Sequence, residues 1–290
     1  TDADGVTIVD DDSTDGSQAD DLGVGDTAKF TIRTKIPAYS ESYRAKGVTF
    51  KLEDTQDKGF DAPQNIVVTV GGAVVTEGAN TFAKAITGND YTLDFASDFI
   101  LDHSGQNVVV TYNSKLNAGA VQKFDANVNH VKLTFTNDAY SKGNVATLND
   151  DVQEYTFPVQ VKKVNEENKP LEGAEFTVRF YAGRYTQESL PEKPSKIWVL
   201  TTKKENDVCR SKLEKEYQIS GDDFYYAENR DKPVIPLGTI SIEETKAPKG
   251  YMLEQAHIEG DNGKLAGNYY LTQIVQNGNQ ANIQGGNNYK

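Results

Sequence analysis

The stretch Thr239–Tyr251 reads as a strand running into a turn, and it fixes a pattern that the rest of the chain repeats. Ile240, Ile242 and Glu244 fall on one face of a two-residue period; Thr239, Ser241 and Glu243 fall on the other. Pro248 and Gly250 stop the strand. A face that points two isoleucines inward also points Glu244 inward. For a single case, a strand leaving the core explains the acid, because charged side chains are rarely fully buried unless paired. The pattern acquires meaning only if other strands end the same way.

They do. Val48, Phe50, Leu52 and Asp54 share a face, and that face ends in an acid. Val131, Leu133, Phe135 and Asn137 share one that ends in an amide. Phe157, Val159, Val161 and Lys163 share one that ends in a lysine, and Ala281, Ile283, Gly285 and Asn287 share the last. Further strands are predicted at Ala28–Ile32, Ile66–Val70, Asn107–Tyr112, Phe176–Phe180, Lys196–Thr202 and Tyr269–Val275, with a short helical turn in Ser114–Val121. Gly71-Gly72 and Asn277-Gly278 supply hairpin turns. The polar stretch Asp138–Asp151 separates two runs of strands. The predicted fold is all-β, two tandem β-sandwich domains over 1–152 and 153–290. The second carries a long, aromatic-rich insertion at 181–237, with Trp198, Phe224, Tyr225 and Tyr226.

Composition narrows the function. A net charge of -13 repels phosphate backbones and anionic membranes, so neither nucleic acid nor membrane is an expected partner. No apolar run approaches a membrane span, and no signal peptide is present. The single cysteine, Cys209, rules out an intrachain disulfide, and no Cys/His framework proposes a metal or cofactor. The three histidines are scattered, and no pair of acids marks a glycan-cleaving cleft. Asp10–Gly16 has the spaced carboxylates of a calcium loop, but Leu22 stands where the bidentate Glu is needed, so a solvated loop is expected.

A lysine, a glutamate and an asparagine at the ends of otherwise apolar faces make a reactive set. Burial favours the neutral amine of Lys163 and the neutral acid of Glu244. The acid donates a hydrogen bond to an asparagine carbonyl, the amine attacks its carbon, and ammonia leaves. The product is a Lys–Asn amide, formed once and without turnover, so the chain is not expected to be an enzyme in the ordinary sense. Such a bond acts as a disulfide would but cannot be reduced.

At these residues the chain resembles a known family. Val159–Asn165 with Pro170–Phe176, and then Glu244–Tyr251, are similar to the opening and the glutamate motif of CnaB-type (prealbumin-like, SpaA-type) domains of Gram-positive surface proteins. The resemblance implies Lys163 as amine, Glu244 as acid and Asn287 as acceptor, with Asn288, Asn282 and Asn277 as alternatives. Gly25–Ile32, Asp54-Thr55 with Gly59-Phe60, Thr111–Asn117 and Leu133–Asn137 resemble the CnaA-like middle domain of sortase-assembled backbone pilins. That resemblance implies Asp54 as acid and Asn137 as acceptor, facing each other in the core. No lysine precedes Lys29, which lies on a polar face, so no bond is expected in the first domain. Thr1–Gly5 resembles the segment just after the missing lysine, and the pilin-motif lysine and sorting signal are also absent, as in a fragment.

The expectation is a structural protein of the Gram-positive cell wall or fimbrium: a pilus shaft segment or wall-anchored adhesin stalk. Identical subunits, a tip adhesin and a sortase are the implied partners. A host or extracellular-matrix ligand joins them if 181–237 is a contact surface instead of packing, which an exposed Trp198/Tyr225 patch would indicate.

Overall fold

Burial alternates residue by residue along most strands, as the two-residue pattern demands. The computed structural model describes residues 7–8, 22–120, 125–141, 144–205, 208–214, 233–253, 269–277 and 280–284. In chain order the elements are β1 (Thr7–Ile8), β2 (Thr27–Lys35), β3 (Phe50–Gln56), β4 (Gln64–Val70), β5 (Ala73–Val75), β6 (Phe82–Thr87), β7 (Asp90–Phe95), α1 (Ser97–Asp102), β8 (Asn107–Lys115), β9 (Asn127–Asp138) and β10 (Asn144–Glu154). There follow β11 (Phe157–Pro158), β12 (Glu175–Tyr181), β13 (Lys196–Glu205), β14 (Val208–Leu213), β15 (Val234–Ile235), β16 (Gly238–Lys246), β17 (Tyr269–Asn277) and β18 (Gln280–Gln284). The fold is all-β. Contacts divide the chain into two units, one from Thr1–Gln18, Thr27–Asn117 and Asn127–Gln153, the other from Ala19–Asp26, Ala118–Ala126 and Glu154–Lys290.

The first unit pairs two five-stranded sheets, β1-β2-β8-β4-β5 and β10-β9-β3-β7-β6. Phe30, Ile32, Val110 and Tyr112 of one sheet and Phe50, Leu52, Leu93 and Leu133 of the other are buried. Tyr91 and Tyr112 meet edge-on across the sheets with centroids 5.1 Å apart. Each fully buried side chain of this kind contributes about 1.5–3 kcal/mol. Among the described residues of 114–121 the predicted helical turn is reduced to a turn at Ala118-Gly119. β8 runs through Lys115, and Leu116 bridges Phe60, because Leu116 is itself a core residue. The one α-helix among the described residues is α1, which buries Ile100 and Leu101.

The second unit is a six-stranded antiparallel sheet, β14-β13-β12-β16-β17-β18, with β11-β15 as a small second sheet. Phe157, Val159 and Val161 are buried in the same cluster as Phe176, Val178, Trp198, Leu200, Ile240 and Ile242. Past β11 the backbone stays extended. Val159 N–H donates to Pro233 O at 2.9 Å, and Val161 is clasped by Ser211, which donates to its carbonyl and accepts from its N–H. The stretch 181–237 is more than an appendage, since β13 and β14 are strands of the main sheet. Phe224, Tyr225 and Tyr226 lie outside the described residues. β16 begins at Gly238 with φ +147°, where a Cβ would meet Phe180 Cε2 at 2.6 Å and Tyr181 O at 2.8 Å.

Candidate functional site

Lys163 and Glu244, 81 residues apart in sequence, meet in the second unit. Lys163 Nζ donates to Glu244 Oε2 at 2.7 Å. The lysine side chain is 15 % exposed and the glutamate 1 %. Each is placed by a local device. Lys163 stands where the extended stretch turns back: its carbonyl accepts from Leu171 N–H at 3.0 Å, and Val164 bridges Pro170. The Asn165 side chain closes that turn by accepting from the Glu167 and Lys169 N–H groups. Glu244 is held inward by a register shift. Phe176 pairs with Glu244 but Glu175 pairs with Lys246, so Thr245 is an extra residue on β16. Such a bulge bends a strand and re-aims its side chains. The strand therefore leaves the core only after Glu244, whose face it shares with buried Ile240 and Ile242.

The opposite face of β16 departs from the sequence expectation. Thr239 and Ser241 are buried too. The loop after β12 covers Thr239, whose hydroxyl donates to Gly183 O at 2.8 Å and accepts from Tyr185 N–H at 2.9 Å. Glu243, next to Glu244 but on this outer face, takes an ordinary half-exposed ion pair with Arg179 at 2.8 Å. Neighbouring acids on one strand thus have opposite environments.

An ammonium and a carboxylate held this way are costly to desolvate, and mutual attraction repays that cost only in part. Proton transfer along the same hydrogen bond gives a neutral amine and a neutral acid, which are the two reactants the chemistry needs. The expected acceptor Asn287 and the alternative Asn288 lie outside the described residues. Asn282 and Asn277 are on β18 and β17, opposite Val275 and Gln280.

The first unit holds a second buried acid, with a different neighbour from the one expected. Asp54 is 1 % exposed. Tyr112 Oη donates to Asp54 Oδ2 at 2.8 Å, Asn129 Nδ2 lies 3.4 Å from the same oxygen, and Asn129 Nδ2 donates to Tyr112 Oη at 2.7 Å. Burial pushes the Asp54 carboxyl up to about 7, opposed by the Tyr112 and Asn129 hydrogen bonds. Burial also pushes the Tyr91 and Tyr112 phenols well up.

Asn137 does not face Asp54. The cross-strand partner of Asp54 is Val131, and Asn137 lies six residues further along β9, about 20 Å away. Alternation also fails just before it. Thr136 is buried, exchanges hydrogen bonds with Thr49 and accepts from Tyr39 Oη at 2.7 Å, so Asn137 turns out to solvent. The amide that meets Asp54 is Asn129, at the other end of the same apolar face. The signal was available: Asn129 shares the two-residue period of Val131, Leu133 and Phe135. Asp54 Oδ1, Asn129 Oδ1 and Tyr91 Oη are buried without a hydrogen-bond partner among the described residues.

Trp198 is 5 % exposed and belongs to the core, so it forms no exposed patch. Among the described residues no group of His, Cys, Asp or Glu could hold a metal ion, and no helix is long and apolar enough to cross a membrane. The acidic run Asp10–Gly16, expected to be a solvated loop, lies outside the described residues.

Comparison with known proteins supplies the family context. Residues 157–264 match the model of the SpaA prealbumin-like fold domain. Residues 12–149 match that of the Sgo0707 N2 domain. Among solved structures, the T6 backbone pilin of serotype M6 Streptococcus pyogenes aligns over 92 % of this chain at 19 % identity and a TM-score of 0.54. This chain covers 50 % of that pilin. A 35 kDa C-terminal fragment of the major pilin GBS80 of Streptococcus agalactiae aligns over 83 % of this chain and 86 % of its own length, at 14 % identity and a TM-score of 0.52. No curated protein matches the chain. The chain therefore resembles Gram-positive backbone pilins in fold, and its residues 157–264 are similar to the SpaA-type prealbumin-like domain.

Proposed function

We propose that the chain is a shaft segment of a sortase-assembled pilus, or of a wall-anchored adhesin stalk, whose second unit locks itself with an internal amide bond. The observation that carries this reading is the Lys163–Glu244 contact, 2.7 Å long with both side chains largely buried. Glu244 takes a proton from Lys163 and presents it to the carbonyl of an asparagine late in the sequence, Asn287 first. The neutral amine attacks the polarised carbon, a C–N bond forms, the amide C–N bond breaks, and ammonia carries away the nitrogen. The linkage is neutral, so the cost of burying an ammonium disappears with it.

A bond from Lys163 to the last strand joins the two ends of the second unit. Tension entering at one end and leaving at the other passes through covalent bonds and bypasses the hydrogen-bonded sheet. That is what a shaft needs in order to hold a tip adhesin away from a cell under shear. The partners are identical subunits, the tip protein and the sortase that joins them. In the first unit, Asp54 and Asn129 form an acid–amide pair to which no lysine among the described residues is hydrogen-bonded, and we propose that this unit carries no such bond in this chain.

Pulling the chain by its two ends tests the role. The second unit should give no unfolding step in the wild type. The Glu244→Ala variant should release about 400 Å of contour from the roughly 120 residues between Lys163 and Asn287. A wild-type second unit that unfolds with the same step as the variant would remove the mechanical role.

A further inference from the structure

One face of the second unit breaks a rule that sheets ordinarily keep. Lys203 of β13 is the cross-strand partner of Arg210 of β14, and Arg210 is in turn bridged to Lys162. Cross-strand partners share a face, so three cations stand side by side across three strands, about 5 Å between successive Cβ atoms. All three side chains are exposed. Like charges directly opposite one another are destabilising, and sheets usually alternate signs there. Acids nearby are engaged elsewhere or only loosely. Glu205 pairs with Lys212, and Glu214 lies 3.8 Å from Lys203. Lys162 and Arg210 have no acid within 4 Å among the described residues. A concentrated positive row on a chain of net charge -13 is a local reversal of the surface field.

The same sequence holds the complementary charge. Residues 1–26 contain nine aspartates and no lysine or arginine, with Asp10, Asp11 and Asp12 consecutive and Asp15 close behind. An extended peptide spaces alternate carboxylates by about 7 Å, within reach of neighbouring cations in such a row. We propose that the Lys162–Arg210–Lys203 row is a docking surface for the acidic N-terminal stretch of a second copy of this chain. Exposed charges of this kind give register and speed of encounter more than affinity, so the contact is weak and salt-dependent. It would align one copy with the next before any permanent linkage is made. The inference uses neither Lys163 nor Glu244 and stands apart from the amide bond.

Sedimentation velocity on the full chain tests it. The wild type should self-associate at about 50 mM salt, and its association should weaken about tenfold or more at about 500 mM. The triple variant Lys162→Glu, Lys203→Glu, Arg210→Glu should stay monomeric, and so should Asp10→Lys, Asp11→Lys, Asp12→Lys. Mixing the two variants should restore association, because each then offers the charge that the other lacks. Thermal melts should show both variants folded, since the reversed side chains of the row are solvent-facing. A wild type that stays monomeric at low salt up to about 1 mM chain, where a millimolar Kd would show, overturns the proposal. So does self-association that survives either reversal, or a mixture that stays monomeric. Compaction of the monomer without association would place the contact within one copy and also overturns it.

Discussion

Asp54 in the first unit and Glu244 in the second are both buried at the end of an apolar strand face, and the two units solve the problem differently. In the second unit Glu244 meets an ammonium, Lys163 Nζ at 2.7 Å. In the first unit Asp54 meets a phenol and an amide, Tyr112 and Asn129. A phenol and an amide are weaker partners for a carboxylate than an ammonium, and the Asp54 carboxyl is pushed up to about 7 by burial. The same strand pattern therefore yields an ion pair in one unit and a titrating polar cluster in the other. The acid alone decides nothing; the group that reaches it from the neighbouring strand does.

The two units should part most visibly at Glu244. Glu244→Ala removes the group proposed to polarise the acceptor, so the amide bond should not form. Closing a loop of about 100 residues is worth about 5 kcal/mol. The second unit should then melt about 15 °C lower and become open to protease. Differential scanning calorimetry with limited proteolysis reads both. An unchanged melt would mean that the two acids play equivalent packing roles.

The first unit should respond to pH through Asp54. The folded Asp54 carboxyl titrates near 7 and its unfolded value is near 3.8, so between these values the folded state holds a proton that the unfolded state has released. Stability from this group is fully present below about pH 4 and is lost as pH rises through 7. The full difference is on the order of 4 kcal/mol. Urea unfolding of wild type and Asp54→Asn at pH 5 and pH 8 should show the variant gaining relative to the wild type at the higher pH. A pH-independent difference would place the Asp54 carboxylate in a well-solvated site.

A smaller effect separates the two asparagines of β9. Asn129→Ala removes the buried donor that serves both Tyr112 Oη and Asp54 Oδ2 and should cost about 1–3 kcal/mol. Asn137→Ala touches an exposed side chain and should stay within about 0.5 kcal/mol. The reverse order would restore the expected Asp54–Asn137 pairing. Smallest of all is the outer pair on β16. Arg179→Ala breaks a half-exposed contact to Glu243 and should cost less than about 1 kcal/mol, next door to a residue whose loss costs several times more. Chemical denaturation of each variant resolves that contrast.

Much of this was legible in the sequence because strand periodicity is short-range. Phe157, Val159 and Val161 announce their face, and Lys163 at its end needs only one more strand to find Glu244. The Asp54 face was equally plain. Its partner was not, because register between strands is fixed by pairing of β3 with β9, which periodicity within either strand does not contain. Both Asn129 and Asn137 satisfy the period, and only Thr136, tied to Thr49 and Tyr39, turns the second outward. Burial of Thr239 and Ser241 was hidden for a related reason. Their cover comes from the loop at Gly183 and Tyr185, more than fifty residues upstream.

The central claim is covalent, and intact mass under denaturing conditions tests it directly. The wild-type chain should weigh less than its sequence by one ammonia, and not by two, since among the described residues only the second unit brings an amine to such an acid. Glu244→Ala should return to the mass its sequence dictates, and a digest of the wild type should hold Lys163 joined to a peptide from the terminal strands. A wild-type mass equal to that of the sequence would contradict the account and leave Lys163 and Glu244 as a buried ion pair in a plain β-sandwich.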